Sequence, residues 1–204
     1  MQVFLRGSML ALQRFLIKEQ AALFRRTATY AILDPDSEEQ VGVARERPGS
    51  LIKLLRWFIP RRLLPTRIQI HELDEEQSLL CTMYRQGIWW RSRIDVCDAD
   101  ENLLGYFQRK LFSLGGGFWV CDEYGNRFAE VRGDLKGWNF HFRTEYGREI
   151  GLVAKAWAGI GKELFTSADN YLVEIDYDLA RDPIAKLLLL AAALAIDLVY
   201  KEHG

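Results

Sequence analysis

The chain has 204 residues, 49% of them hydrophobic, enough to bury a proper core as one domain over residues 1–204. Lys and Arg number 27 against 28 Asp and Glu, a formal net charge of −1, which excludes any global attraction to nucleic acid or to an anionic membrane. Binding of either kind therefore has to come from a local patch. The cysteines, Cys81, Cys97 and Cys121, are odd in number and lack C-x-x-C spacing. That argues against a disulfide framework or a thiolate metal site and suits a reducing cytoplasm.

Near the N-terminus, Arg6, Arg14 and Lys18 interrupt every apolar run before it reaches the length of a signal-peptide core. Residues 10–24 are apolar at mixed spacing and read as either a strand or a helix. From there, alternation of apolar and polar residues between turn signals predicts strands over 30–33 and 41–45, joined through Asp34-Pro35-Asp36. Residues 50–57, ended by Pro60, read as a short helix, with Lys53, Arg56, Arg61, Arg62 and Arg67 near it. Paired strands follow over 68–72 and 79–84, 93–96 and 103–111, 118–120 and 127–132, and 138–142 and 148–156, with a last one over 171–177. Val96-Cys97-Asp98 and Val120-Cys121-Asp122 lie 24 residues apart, and Glu145 follows 23 later. This weak repeat has the period of one hairpin, so it reads as a meander of long hairpins rather than a solenoid.

The end of the chain differs in kind. Asp182 is a good N-cap and Pro183 sits at the first helical position, where its missing N–H costs nothing. Ten uninterrupted apolar residues run from Leu187 to Ile196, before Asp197-Leu198-Val199-Tyr200. A helix apolar all round is buried, in protein or in lipid. At about 1.5 Å per residue it spans roughly 27 Å, slightly short of a bilayer core, and Lys186 and Asp197 shorten its uncharged part further. Ala191, Ala192, Ala193 and Ala195 give it a slim waist suited to close packing by strands. A buried core helix is therefore preferred over a membrane span or an interfacial helix. Eleven or so strands leave few edges only if the sheet closes, and the helix fills the room inside. The expected fold class is mainly β, a closed antiparallel barrel around a buried hydrophobic C-terminal helix.

No catalytic constellation emerges. His71 and His141 each fall in a predicted strand, His203 lies in the tail, and no H-E-x-x-H, G-x-S-x-G or G-x-x-x-x-G-K-[ST] occurs. Gly115-Gly116-Gly117 lies between strands and reads as a hairpin turn, not a nucleotide loop. Catalytic residues are thus none, and a non-enzyme is expected. Trp89-Trp90 with Arg91 and Arg93 reads as one ring inward and one outward under arginine; a nucleic-acid platform would want more basic charge. The segment from Lys53 through Leu54, Leu55, Arg56, Trp57, Phe58, Ile59, Pro60, Arg61 and Arg62 to Leu63 and Leu64 is the one local patch that suits a membrane. Cations near an anionic leaflet contribute about 1 kcal/mol each, and aromatics anchor at the interface. Lys53, Arg56, Trp57, Arg61, Arg62 and Arg67 are the candidate lipid-binding residues. The alternative reading is an amphipathic helix plugging one barrel mouth with its cations merely solvated.

The run from Gly151 through Lys155-Ala156-Trp157-Ala158-Gly159, Lys162-Glu163-Leu164-Phe165-Thr166 and Ala168-Asp169-Asn170-Tyr171 resembles the phospholipid scramblase family, as does its continuation through Asp176, Asp178 and the terminal helix. The likeness covers about 50 residues and thins upstream to patches at 15–20 and 30–34. The related LURP-one and tubby C-terminal families share its architecture, which implies a closed barrel of about twelve antiparallel strands around a hydrophobic C-terminal helix. Tubby-like domains bind phosphoinositides through basic side chains, so the resemblance implies anionic membrane lipid as partner. It also leaves open transbilayer lipid scrambling and an intracellular scaffold or small-ligand carrier. Lys155, Trp157 and Gly159 are expected to shape the barrel, with Trp157 buried. The resemblance further implies a calcium segment before the helix, where Asp169, Asn170, Glu174, Asp176 and Asp178 supply oxygens. Ser167 and Leu172 depart from that pattern in place of an aspartate and a turn-making glycine. Alternation over 172–177 sets Glu174 and Asp176 on one solvated face, so calcium affinity is expected to be millimolar at best. The proline-rich arm and palmitoylated cysteines of animal scramblases have no counterpart here, and no lipid anchor is expected. The expectation is a cytoplasmic, non-enzymatic protein at the membrane surface.

Overall fold

The computed structural model of the chain describes residues 8–20, 27–55, 57–59, 63–74, 77–86, 93–110, 117–134, 139–155 and 170–200. Twelve strands form one closed barrel. They are β1 (Arg14–Glu19), β2 (Thr29–Leu33), β3 (Gln40–Glu46), β4 (Thr66–Glu72), β5 (Leu79–Arg85), β6 (Arg93–Cys97), β7 (Leu103–Arg109), β8 (Gly117–Asp122), β9 (Arg127–Asp134), β10 (Asn139–Arg143), β11 (Glu149–Lys155) and β12 (Asn170–Ile175). Each pairs antiparallel with its chain neighbour, and β1 closes the barrel on β12 with Leu16 opposite Leu172. Closure leaves no unpaired strand edge. In the ambiguous segment 10–24, the described residues form the end of a single helical turn, α1 (Ser8–Ala11), and then β1, whose Phe15, Leu16 and Ile17 are buried.

Alternation sets the core. Ile68 and Ile70 of β4 are fully buried while Arg67, Gln69 and His71 between them are not, and the same phase holds for Ile94 and Val96 of β6. Inside lies α3 (Pro183–Tyr200), in which every residue from Ala185 to Leu198 is buried, Lys186 and Asp197 included. Each fully buried leucine contributes roughly 1.5–3 kcal/mol of burial free energy. Asp182 caps the helix as expected, its Oδ1 accepting from the Ile184 and Ala185 amides at 3.0 and 3.1 Å. The wall comes close to the helix at Gly105 of β7, where any Cβ would meet Leu188 Cδ1 at 2.9 Å.

The hairpin repeat has a physical basis. The hairpins β2–β3, β4–β5, β6–β7, β8–β9 and β10–β11 all turn at one end of the barrel, and each slips register beside its turn. Each turn carries one residue in the left-handed region just before it closes: Glu38, Gln77, Glu101, Gly125 and Gly147. That geometry is a tight turn followed by a bulge, which preserves strand twist. Asp34, Asp74, Asp98 and Asp122 open four of them, each accepting backbone N–H bonds from the residues that follow. Thr144 Oγ1 does the same for the fifth, accepting from Arg148 N. The last strand ends at Ile175 instead of continuing to Tyr177. Asp176 Oδ1 accepts the Asp178 amide at 2.9 Å, turning the chain into a 3-10 turn (Leu179–Arg181) that leads to α3.

Candidate functional site

Antiparallel alternation gives the barrel two unlike ends. The five short turns and the entry of α3 share one end; the chain between β3 and β4, which carries α2 (Ser50–Leu55), belongs to the other. No residue of α2 is buried. Leu51 and Leu54, three residues apart on one helical face, are 68% and 60% exposed, and Trp57 and Phe58 beyond the helix are 69% and 82% exposed. Backbone N–H bonds from Trp57 to Leu54 O and from Phe58 and Ile59 to Leu55 O hold this segment in tight turns. Lys53 projects from α2 and is exposed, while Leu64 returns the chain to the core. Ile52 and Leu55 of α2 are half-buried, so the helix turns one face inward and shows Leu51 and Leu54 to solvent.

Of the candidate lipid-binding residues, Lys53 and Trp57 thus lie together on this segment, whereas Arg56, Arg61 and Arg62 lie outside the described residues. Arg67 is elsewhere. It stands on the outer face of β4, 3.0 Å from Glu101 Oε1, with its guanidinium 5.1 Å from the centroid of the Tyr84 ring.

The acidic segment ahead of α3 is engaged by arginines. Arg14 Nε lies 3.3 Å from Glu174, and Arg148 reaches Asp176 at 3.1 Å and Asp178 at 2.9 Å. The two carboxylates, Asp178 foremost, hold the Arg148 guanidinium above its usual pKa. Asn170 is buried at the opposite end of β12, four residues from Glu174, roughly 13 Å along a strand. Asp176 and Asp178 meet at Arg148 while Glu174 is turned to Arg14, and among the described residues no group of three His, Cys, Asp or Glu side chains is placed to hold a metal. Lys155 is the last residue of β11, whereas Trp157 and Gly159 of its signature, Ser167 and Asp169, like Trp89-Trp90, lie outside the described residues.

Each end of α3 carries a buried polar group. Lys186 Nζ donates to Leu10 O, and burial lowers its pKa. At the far end Tyr30 and Tyr171 donate their hydroxyls to the two oxygens of Asp197 at 2.6 and 2.5 Å. Arg85 Nη1 donates to Leu198 O at 3.3 Å, a cation at the negative end of the helix dipole. Cys81 is fully buried and burial pushes its thiol pKa up, so it is no nucleophile. His71 and His141 use Nδ1 on Gln77 O and on the Glu149 carboxylate of the outer wall.

The wall also carries stacked pairs that the sequence reading passed over. Arg93 lies 3.6 Å from the Tyr106 centroid and pairs with Asp95. On Trp119 of β8, Lys110 Nζ stands 3.9 Å and the Arg127 guanidinium 4.7 Å from the ring centroid. Glu130, buried and directly across from Trp119 on β9, takes both Lys110 and Arg132. The period of two would have placed Tyr106, Gln108 and Lys110 on one outer face, but their cross-strand neighbours depend on register, which single-strand patterns do not carry.

A family model described as Scramblase matches residues 7–203. A phospholipid scramblase family protein of Schizosaccharomyces pombe (strain 972) is 22% identical over 163 residues, 74% of this chain and 41% of the relative. The chain therefore spans about two fifths of the length of the curated relative it matches.

Proposed function

Because the chain belongs to the scramblase family, we propose that it is a non-enzymatic module of the membrane surface that binds anionic phospholipid through the segment around α2. The observation that carries this reading is the exposure of Leu51, Leu54, Trp57 and Phe58 together, beside Lys53. A globular core would bury such side chains; an interface between headgroups and acyl chains accommodates both them and the neighbouring cations. Lys53, Arg56, Arg61 and Arg62 supply the attraction, at about 1 kcal/mol each, and Trp57 and Phe58 anchor. Arg67 is held by Glu101 and contributes less. Scrambling through α3 finds no support in the geometry, since that helix is enclosed along its apolar length and would have to leave the core to meet lipid. The buried and half-buried free thiols fit a cytoplasmic setting.

Sedimentation with phosphatidylcholine vesicles, with and without phosphatidylserine, tests the proposal. Binding is expected only with phosphatidylserine, weakening with salt and falling at least about tenfold when Trp57 and Phe58 are both replaced by alanine. Equal sedimentation of the double variant, or no binding to anionic vesicles at low salt, would overturn it.

A further inference from the structure

Among the described residues, the outer wall of the barrel carries cations on aromatic rings at three places, and their charge balance differs. At Tyr84, Arg67 meets Glu101; at Tyr106, Arg93 meets Asp95. Each is one cation to one carboxylate. At Trp119, Lys110 and Arg127 stand over the ring while Lys110 and Arg132 share one carboxylate, Glu130, leaving among the described residues an excess of two positive charges by this count (three cations less one acid). The Asp122 carboxylate of the adjoining turn keeps its charge, but its oxygens accept the Tyr124 and Asn126 amides and the Asn126 side chain, and among the described residues it makes no ion pair with these cations.

From this imbalance we infer that the Trp119 face of β7–β9 is a binding site for a phosphate group, held by Lys110, Arg127 and Arg132 against the edge of the indole. Arg127 is the arm free to turn toward a ligand: it is exposed, and among the described residues it makes no ion pair. Arg132, itself largely exposed, shares Glu130 with Lys110 and keeps guanidinium N–H donors beyond the one it gives to that carboxylate. Like-charge crowding is already felt within the cluster. Burial, then Arg132 and Arg127, lower the Lys110 pKa to about 8, so a dianion arriving here relieves a repulsion that the protein maintains without it. Trp119 is half-buried and fixes the spacing of the two cations stacked on it. The ligand class is a phosphomonoester or diphosphate, either a phosphorylated lipid headgroup or a soluble phosphate compound. The site lies on the barrel wall, apart from α2, and stands whether or not α2 binds membrane.

Calorimetric titration with inorganic pyrophosphate is the test. Saturable, salt-sensitive binding is expected, weakened about tenfold by Arg127→Gln and further by Lys110→Gln with Arg127→Gln. Arg67→Gln, which removes a cation already matched by a carboxylate, should change affinity less than about twofold. Circular dichroism of each variant should match the parent, and Arg127→Gln, being exposed and unpaired, keeps the test informative if Lys110→Gln proves unstable. Vesicles of phosphatidylcholine with a phosphatidylinositol phosphate separate the sources. Binding lost in Arg127→Gln but retained without Trp57 and Phe58 assigns a lipid headgroup, whereas pyrophosphate binding without such vesicle binding assigns a soluble phosphate. No saturable pyrophosphate binding, or equal losses from Arg67→Gln and Arg127→Gln, would overturn the inference. Failure of the Trp57 and Phe58 variant alone to lose vesicle binding would count against the α2 reading and leave this one standing.

Discussion

Asp197 is the acid of an otherwise apolar stretch of α3, and its two tyrosine donors come from strands on either side of β1. A carboxylate removed from water is tolerated only where hydrogen bonds replace its hydration. Charge-assisted bonds of this kind contribute about 1.5–3 kcal/mol each. Asp197→Asn should therefore lower stability by about 1–3 kcal/mol, and a double-mutant cycle with Tyr30→Phe should show coupling of at least about 1 kcal/mol in urea unfolding. Strictly additive losses would mean that the contact carries little energy. The arginines beside the acidic segment lead to a second expectation. With Arg14 on Glu174 and Arg148 on Asp176 and Asp178, a calcium ion would have to displace guanidinium groups from its own ligands. Calorimetry should thus find at best millimolar affinity, whereas a micromolar constant abolished by Asp178→Asn would show that the segment rearranges around the ion.

Among the elements, three of the turns open with an aspartate held below its ordinary pKa and should share one pH response. Asp34 is held below its ordinary value of 3.8 chiefly by the Asp36 amide, and Asp74 by the Ser78 hydroxyl and amide. For Asp122 burial acts the other way, but the Asn126 side chain and the turn amides outweigh it. A folded-state pKa below the unfolded one means that folding favours the ionised form. The contribution is complete above about pH 4 and is lost as pH falls through the depressed values. Replacing Asp34, Asp74 and Asp122 together by Asn, which also makes such turns, should flatten the fall in urea midpoint between about pH 4 and pH 2. An unchanged acid limb would place the lost stability in other carboxylates. These turns were legible in the sequence because aspartate and glycine announce them locally. The short strand within 10–24 was not, since Phe15, Leu16 and Ile17 are all buried and give no alternation from which to read a period.

For the molecule as a whole, the barrel and its filling helix are one cooperative unit. Leu190 is fully buried at the middle of α3. Leu190→Asp places an unpaired charge there and should prevent folding, at a cost of several kcal/mol, seen as loss of the native circular dichroism and of a cooperative melt. A folded variant that had lost only vesicle binding would mean that α3 meets lipid after all. The closed barrel followed from the sequence because hairpin period, strand number and one all-apolar helix admit few architectures. The site was less legible. Lys53 and Trp57 stand out by composition, but the pairing of Arg67 with Glu101 joins residues 34 apart. The convergence of Lys110 and Arg132 on Glu130, and of Lys110 and Arg127 on Trp119, likewise depends on register across three strands.

Closure of β1 on β12 sets the order of assembly in time. Phe15 and Val173 face each other across that seam, and the helix that occupies the interior comes after both in the chain. At about 5–20 residues per second, synthesis takes on the order of 10–40 s to run from the first strand to the last turn of the helix. Through that interval the early hairpins present their inward side chains to water, with neither partner for the seam nor filling for the lumen. Their turns, each tied to its own aspartate or threonine, can form at once; the barrel cannot. The nascent protein is thus a row of finished corners awaiting its final segment, and the first strand made keeps one edge unpaired until the last arrives.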